Sequence, residues 1–182
     1  ARGAWVPWGY YLDLLFYHRR LRRLVAVELK LGVLAQGAEI QQVQGAALLK
    51  SGHFNVTLTG DGCFLMASQE LATAAAHALK IVFLVVNNGS YGTIRMHQER
   101  EYPGRISASE LRNPDFAAYA RAFGGHGETV EETAQFAPAF ERARASGKHS
   151  VIELRIDPDA ITTGTTLTKV RAQALERRKQ AG

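Results

Sequence analysis

Three stretches stand out from an otherwise mixed pattern of apolar and polar positions. Phe54–Thr59 (FNVTLT), Ile81–Val86 (IVFLVV) and Ser150–Ile156 (SVIELRI) are short and rich in Val, Ile and Phe. The middle run does not alternate, which predicts a parallel strand covered on both faces. Between the first two lies Met66–Lys80, full of Ala and Leu. Leu71, Ala75, Ala78 and Leu79 recur there at helical spacing, so a helix is predicted with that stripe inward. Strand, helix and strand within about thirty residues form a βαβ unit. Further helices are predicted over Pro114–Phe123, where Pro suits a first turn, over Thr133–Ser146 and over Leu167–Gln180. The body is thus predicted to be α/β, a doubly wound, mostly parallel sheet with helices on both faces.

The first thirty residues follow another pattern. Leu12–Tyr17 (LDLLFY) and Leu24–Leu29 (LVAVEL) are strand-like, and His18–Arg23 (HRRLRR) joins them. Six residues cannot hold a crossover helix, so the pair is predicted to be an antiparallel β-hairpin. A length of 182 residues suits one domain plus an appendage. The boundary is set at residue 33, with a hairpin segment over 1–33 and the α/β body over 34–182.

Composition narrows the picture. No apolar run approaches the ~20 residues of a membrane span, so no membrane partner is expected. Cys63 is the one cysteine, which rules out a disulfide within the chain and a cysteine-rich zinc site. A reducing, cytoplasmic setting is the expectation. The net charge is +5, but residues 1–33 carry +4 and residues 169–182 another +4, leaving −3 between. Basicity in the two ends does not point to nucleic acid as a partner of the body.

The chemistry sits where two strands end. The first strand runs into Gly60-Asp61-Gly62 and the second into Asn87-Asn88-Gly89. Both motifs therefore fall at the carboxyl ends of neighbouring parallel strands, where open α/β sheets bind ligands. Gly60 and Gly62 allow close backbone approach. The helix predicted just after Gly62 presents N–H groups and a positive dipole end, which suit a phosphate. Asp61 offers a hard anionic oxygen, and Asn88 a neutral amide oxygen from the adjacent strand. A carboxylate with amide and carbonyl oxygens suits Mg²⁺, whose octahedron is completed by phosphate and water. The expected site is one for Mg²⁺ and a diphosphate. Either motif alone is a common turn; the pairing and spacing make the signal.

This pair resembles the GDG…NN signature of thiamine diphosphate (ThDP) enzymes. GDGCFLMASQELATA, VVNNGSYGTIRMHQEREYPGR and NPDFAAYARAFGGHGETV are similar to the diphosphate-binding (PP) domain of the acetolactate synthase-like family. The resemblance runs from about Gly45 to about Leu167. It implies Mg²⁺ ligation by the side chains of Asp61 and Asn88 and by the carbonyl oxygen of Ser90. It also implies diphosphate contacts from the backbone N–H groups of Gly62 and Cys63, with Gly60 in the motif and Tyr91 and Gly92 in the closing loop. Cys63 stands where the family uses several small residues, so its thiol is read as incidental. The implied substrate is a small 2-oxo acid, decarboxylated by a cofactor that accepts the resulting carbanion.

In that family the Glu that activates the cofactor lies on a separate pyrimidine-binding (PYR) domain, usually from a partner chain in a homo-oligomer. No residue here is assigned a catalytic role, and the chain is expected to be inactive alone. Glu70 is placed on the helix after the first motif, and Glu99 and Glu101 in a polar loop, all as solvated or structural groups. The family also carries a Gly-rich turn, a helix of small residues and an apolar prop before its first motif. Gly45–Lys50 reads as the end of that helix, but Gly32, Gly37 and Gly45 do not restore the turn. The PP domain is therefore expected to be N-terminally incomplete.

A second resemblance covers residues 11–32. Asp13 followed by Glu28-Leu29-Lys30 on the next strand is similar to the metal-binding hairpin of PD-(D/E)XK restriction-endonuclease-like nucleases. There, two carboxylates hold Mg²⁺ and the Lys helps activate water. Three readings stay open at this point: a PP domain behind a foreign hairpin, a nuclease fragment using Asp13, Glu28 and Lys30, or an inactive fusion remnant. His18, His53, His77, His97, His126 and His149 are scattered without zinc spacing. His77 is expected to pack on its Ala-rich helix, and His97 to lie in the loop near the substrate entrance.

Overall fold

The computed structural model describes residues 55–162 and 164–181, together with two N-terminal strands over 14–18 and 23–27. Those two, β1 (Leu14–His18) and β2 (Arg23–Val27), pair antiparallel with Leu14 opposite Val27 and His18 opposite Arg23. The hairpin is as predicted, but His18 and Arg23 belong to the strands and not to the turn. Asp13, Glu28, Lys30, Gly32, Gly37, His53 and the stretch Gly45–Lys50 lie outside the described residues.

Among the described residues, the body is built on a four-stranded parallel sheet. Its strands are β3 (Asn55–Gly60), β4 (Ile81–Asn87), β5 (His126–Val130) and β6 (Ser150–Arg155), in the order β3-β4-β6-β5. Val82 and Phe83 of β4 pair with Val56 and Thr57 on one side and with Ser150 and Val151 on the other. The non-alternating run of β4 is therefore central, with Ile81, Val82, Phe83 and Val85 all fully buried.

The helices divide between the two faces. Residues Ile81, Phe83, Val85 and Val151 pack against Phe64 of α1 (Asp61–Ala67), Leu71 and Ala74 of α2 (Leu71–Ala76), and Phe116 and Ala120 of α4 (Phe116–Ala122). The Phe64 ring stands edge-on to Phe116, with centroids 5.5 Å apart. On the other face Val82, Val130 and Ile152 meet Ala139 and Ala143 of α5 (Thr133–Ala145). Glu132 and Gln135 form a capping box that sets where α5 begins. Two further helices are α3 (Gly92–Glu101) and α6 (Leu167–Ala181). They are fastened to one another by Glu99, which is 1% exposed and accepts from Arg95 at 3.0 Å, Arg171 at 2.7 Å and the Gly104 N–H at 2.9 Å.

Several expectations need correction. The helix read over Met66–Lys80 is two short helices joined by a 3₁₀ turn at Ser68–Glu70. Ser68 is buried and donates to the Tyr119 hydroxyl at 3.2 Å, a tertiary tie that tightens the chain there. The first helix starts at Asp61 itself, so Asp61 and Gly62 are its opening residues. The second ends at Ala76, and Ala78 turns the chain with φ of 49°. Ala75 and Ala78 are accordingly exposed, and so is His77, while Ala74 joins Leu71 and Leu79 in the core. Pro114 precedes the Asp115 N-cap and does not open the helical turn. Glu99, Glu101 and His97 sit on α3, not in a loop.

Candidate functional site

The site is assembled at the carboxyl edge of the sheet by one buried carboxylate. Asp61 is 3% exposed, because β3 delivers it directly into α1 beside the end of β4. Its Oδ1 accepts from the Gly62 N–H at 2.9 Å. Its Oδ2 accepts from the Gly89 N–H at 3.0 Å and from the Asn113 side-chain amide at 2.7 Å. The two sequence motifs, 28 residues apart at this contact, are thereby joined through a single hydrogen bond.

The Asn87–Gly92 segment is folded by local polar geometry. Asn88 Oδ1 accepts from the Ser90 N–H at 3.1 Å, an Asx turn that points the amide oxygen back along the loop. Gly89 has φ of 65°, which this turn requires. A short antiparallel contact, Tyr91 N–H to the Ser109 carbonyl at 2.9 Å and Leu111 N–H to the Gly89 carbonyl at 2.8 Å, holds the loop from outside. Gly62 is needed for a steric reason. A β-carbon there would stand 2.7 Å from Cε1 of Tyr91, whose ring lies over the first motif. Gly60, by contrast, is exposed with open space around it.

The residues present fit a small, hard cation. Among the described residues, Asp61 Oδ1, Asn88 Oδ1 and the Ser90 carbonyl each accept one hydrogen bond, from Gly62, Ser90 and Gly92 respectively. Each such oxygen has a further lone pair to offer. One carboxylate oxygen and two neutral oxygens are the donor types that Mg²⁺ takes, with phosphate and water completing its shell. No cluster of three His, Cys, Asp or Glu side chains suited to a metal occurs among the described residues, so a transition-metal centre has no counterpart there. A cleft beside the turn is bordered by Asn88, Ser90, Leu111 and the Asp157–Asp159 loop. Cys63 is half-buried in α1. Exposed on α3, His97 takes no part in the hydrogen bonds of the site.

Sequence reasoning missed Asn113, Glu153 and Thr129 behind the site, and gave Asn87 no role of its own. Asn87 donates to Glu153 at 2.6 Å and accepts from the Gly89 N–H at 3.0 Å and the Asn113 amide at 2.8 Å. Glu153 is 1% exposed on β6 and accepts also from Thr129 of β5 at 3.0 Å. A continuous polar chain thus runs Thr129, Glu153, Asn87, Asn113, Asp61 across the end of the sheet. Asn113 is 52 residues from Asp61, and no local pattern marks it. Glu153 could have been found as a lone carboxylate inside an apolar strand.

A parallel sheet with Asp61 and the Asn88–Ser90 turn at its carboxyl edge defines an α/β domain of the kind that binds ligands where its strands end. The family described as "Thiamine pyrophosphate enzyme, C-terminal TPP binding domain" matches residues 12–154, and the chain belongs to it. Its relatives include the acetolactate synthase of Mycobacterium bovis, 31% identical over 152 residues, covering 78% of this chain and 25% of that protein. The acetolactate synthase of Bacillus subtilis is 32% identical over 126 residues, 69% of this chain and 22% of that protein. Among solved structures, a 4-hydroxybenzoylformate decarboxylase from Rhodococcus jostii RHA1 described as thiamine diphosphate-dependent superposes with a TM-score of 0.62 at 27% identity, over 66% of this chain and 23% of that one. The benzoylformate decarboxylase of Polynucleobacter necessarius gives 0.59 at 25% identity, with the same coverage. The chain thus spans a quarter or less of the length of these proteins. The matched region includes the β1–β2 hairpin, and none of these matches favours the nuclease reading of residues 11–32.

Proposed function

We propose that this ThDP-binding domain holds Mg²⁺ and the cofactor's diphosphate at the Asp61–Asn88–Ser90 site, as part of an acetolactate synthase-like enzyme acting on small 2-oxo acids. The observation that carries the reading is the Asp61 to Gly89 hydrogen bond of 3.0 Å, which brings the two motifs into one site. Asp61, Asn88 and the Ser90 carbonyl would hold the metal. Gly62, Cys63, Tyr91 and Gly92 would line the diphosphate. When bound, the cofactor supplies an electron sink for the carbanion left when a 2-oxo acid loses CO₂. The chain's own part is to bind and orient: Asp61 contributes a buried charge, and the Asx turn at Asn88 presents a neutral oxygen at fixed direction. The aminopyrimidine ring would be activated by a Glu of a PYR domain, from a partner chain in a homo-oligomer, and no residue of the 182 is given that role. Residues 1–182 alone are therefore expected to show no turnover. A cytoplasmic setting suits this reading; among the described residues no helix is long and apolar enough to cross a membrane.

The test is thermal unfolding with and without Mg²⁺ plus ThDP, beside Asp61→Ala. At a hundred times its dissociation constant, a ligand specific for the folded state adds about 2.7 kcal/mol. That corresponds to an upshift of about 5–10 °C for a domain of this size. The shift should vanish in Asp61→Ala. No shift in a cooperatively unfolding wild type, or an equal shift in the variant, would overturn the proposal.

A further inference from the structure

We propose that Asn113 is a positioning residue of this site, one side-chain amide that clamps the Asp61 carboxylate to the Asn87–Gly89 turn. The inference rests on Asp61 and Asn88 being cofactor-site ligands as argued above. Both hydrogens of one amide are spent on the two motifs at once, at 2.7 Å to Asp61 Oδ2 and 2.8 Å to Asn87 Oδ1. The same two oxygens accept from the Gly89 N–H, each at 3.0 Å. Two donors and two acceptors from three parts of the chain thus form a closed polar ring immediately beside Asn88.

The orientation of the ring is determined from behind. Glu153 is a buried carboxylate, so only the NH₂ group of Asn87 can face it, and that bond is 2.6 Å. Asn87 must then turn its oxygen toward Gly89 and Asn113. Facing two acceptors, Asn113 must present its nitrogen to both. Its own Oδ1 is left buried without a donor among the described residues. Turning the amide over would oppose its oxygen to two acceptor oxygens, Asp61 Oδ2 and Asn87 Oδ1. A buried unsatisfied acceptor is rare and is tolerated where the rest of the group is doing something specific. The segment carrying Asn113 is held against the turn by the Leu111 N–H, which donates to the Gly89 carbonyl. Asn113 therefore couples the placement of the metal-binding carboxylate to the placement of the neighbouring amide turn. Partners of this kind behind a metal ligand change metal affinity by about 10–100-fold when removed.

The experiment uses the full chain with Asn113→Ala, the isosteric Asn113→Asp, and Asp115→Ala, which removes the N-cap of α4 without touching the ring. Amide hydrogen exchange of Gly89 is read against Val85 in the central strand, without ligand, and binding of Mg²⁺ plus ThDP is measured by calorimetry. Both Asn113 variants should speed Gly89 exchange at least about tenfold relative to Val85 and weaken binding about 10–100-fold. Asp115→Ala should leave the Gly89 to Val85 ratio unchanged. An unchanged ratio in both Asn113 variants would overturn the proposal. So would wild-type binding by Asn113→Asp, because the amide hydrogens would then be dispensable, or an equal change in Asp115→Ala. If the wild type itself fails to bind, the reading of the cofactor site falls, and the exchange ratio still decides whether Asn113 clamps the ring.

Discussion

Replacing Glu99 by Gln tests whether a buried ion pair fastens α6 to α3, the helix that follows the Asn88–Ser90 turn. Glu99 is 1% exposed and faces Arg171, Arg95 and the Gly104 N–H. The Arg171 guanidinium above all, with help from Gly104 and Arg95, outweighs the effect of burial and lowers the carboxyl from its usual 4.5 to about 2. A difference of that size is worth at most about 3 kcal/mol. Arg171 is 39% exposed, and solvent screening brings the figure nearer 2 kcal/mol. The sign follows from linkage. The folded value lies below the unfolded one, so the stabilisation is fully present above pH 5 and is lost as pH falls toward 2. Glu99→Gln should therefore lower urea-melt stability by about 2 kcal/mol at pH 7, and the gap should shrink to under about 1 kcal/mol at pH 3. Circular dichroism melts of both proteins at the two pH values measure this. Equal stability at pH 7, or a gap that stays constant down to pH 3, would refute the reasoning.

Other outcomes follow from single contacts. Gly127→Ala would place a β-carbon 2.1 Å from the Ala117 carbonyl oxygen, so α4 must separate from β5, and a loss of about 3 kcal/mol or more is expected in a denaturant melt. Phe83→Ala, removing a fully buried ring from the centre of the sheet, should cost about 3–5 kcal/mol by the same measurement. His149 is 4% exposed, and burial, with a smaller contribution from Lys148, lowers its pKa. Its unfolded form takes up the proton first as pH drops below about 6.5, so stability should fall there, and His149→Leu should flatten that acid-side slope.

The parts of the fold that were legible in the sequence are those whose residues carry their own environment. Ile81–Val86 reads as a central strand because every position is apolar, and both site motifs read as strand ends because polar residues follow each strand abruptly. Strand β5 was not legible. Of its five residues only Gly127 and Val130 are buried, and its place is fixed by β6 and α4. Helix α3 was not legible either, since GTIRMHQERE has no apolar stripe and Ile94 is 52% exposed. What holds it is the pairing of Glu99 with Arg171, 72 residues away. At the site, Asp61 and Asn88 were read from the two motifs and their spacing and Ser90 from the family resemblance, whereas Asn113 and Glu153 act through partners that only the folded chain supplies.

Glu153 also bears on how the chain selects its fold. It lies opposite Val85 of β4 and Thr129 of β5. Strands with apolar side chains can pair in shifted alignments at little cost, but a slip of one residue turns each side chain to the opposite face. In a shifted alignment this carboxylate would keep Arg155 of its own strand but lose Asn87 and Thr129, at a penalty of about 1–3 kcal/mol for each buried polar group left unpaired. The group that steadies the site from behind thus also penalises misaligned sheets, discriminating against them while the chain is still collapsing.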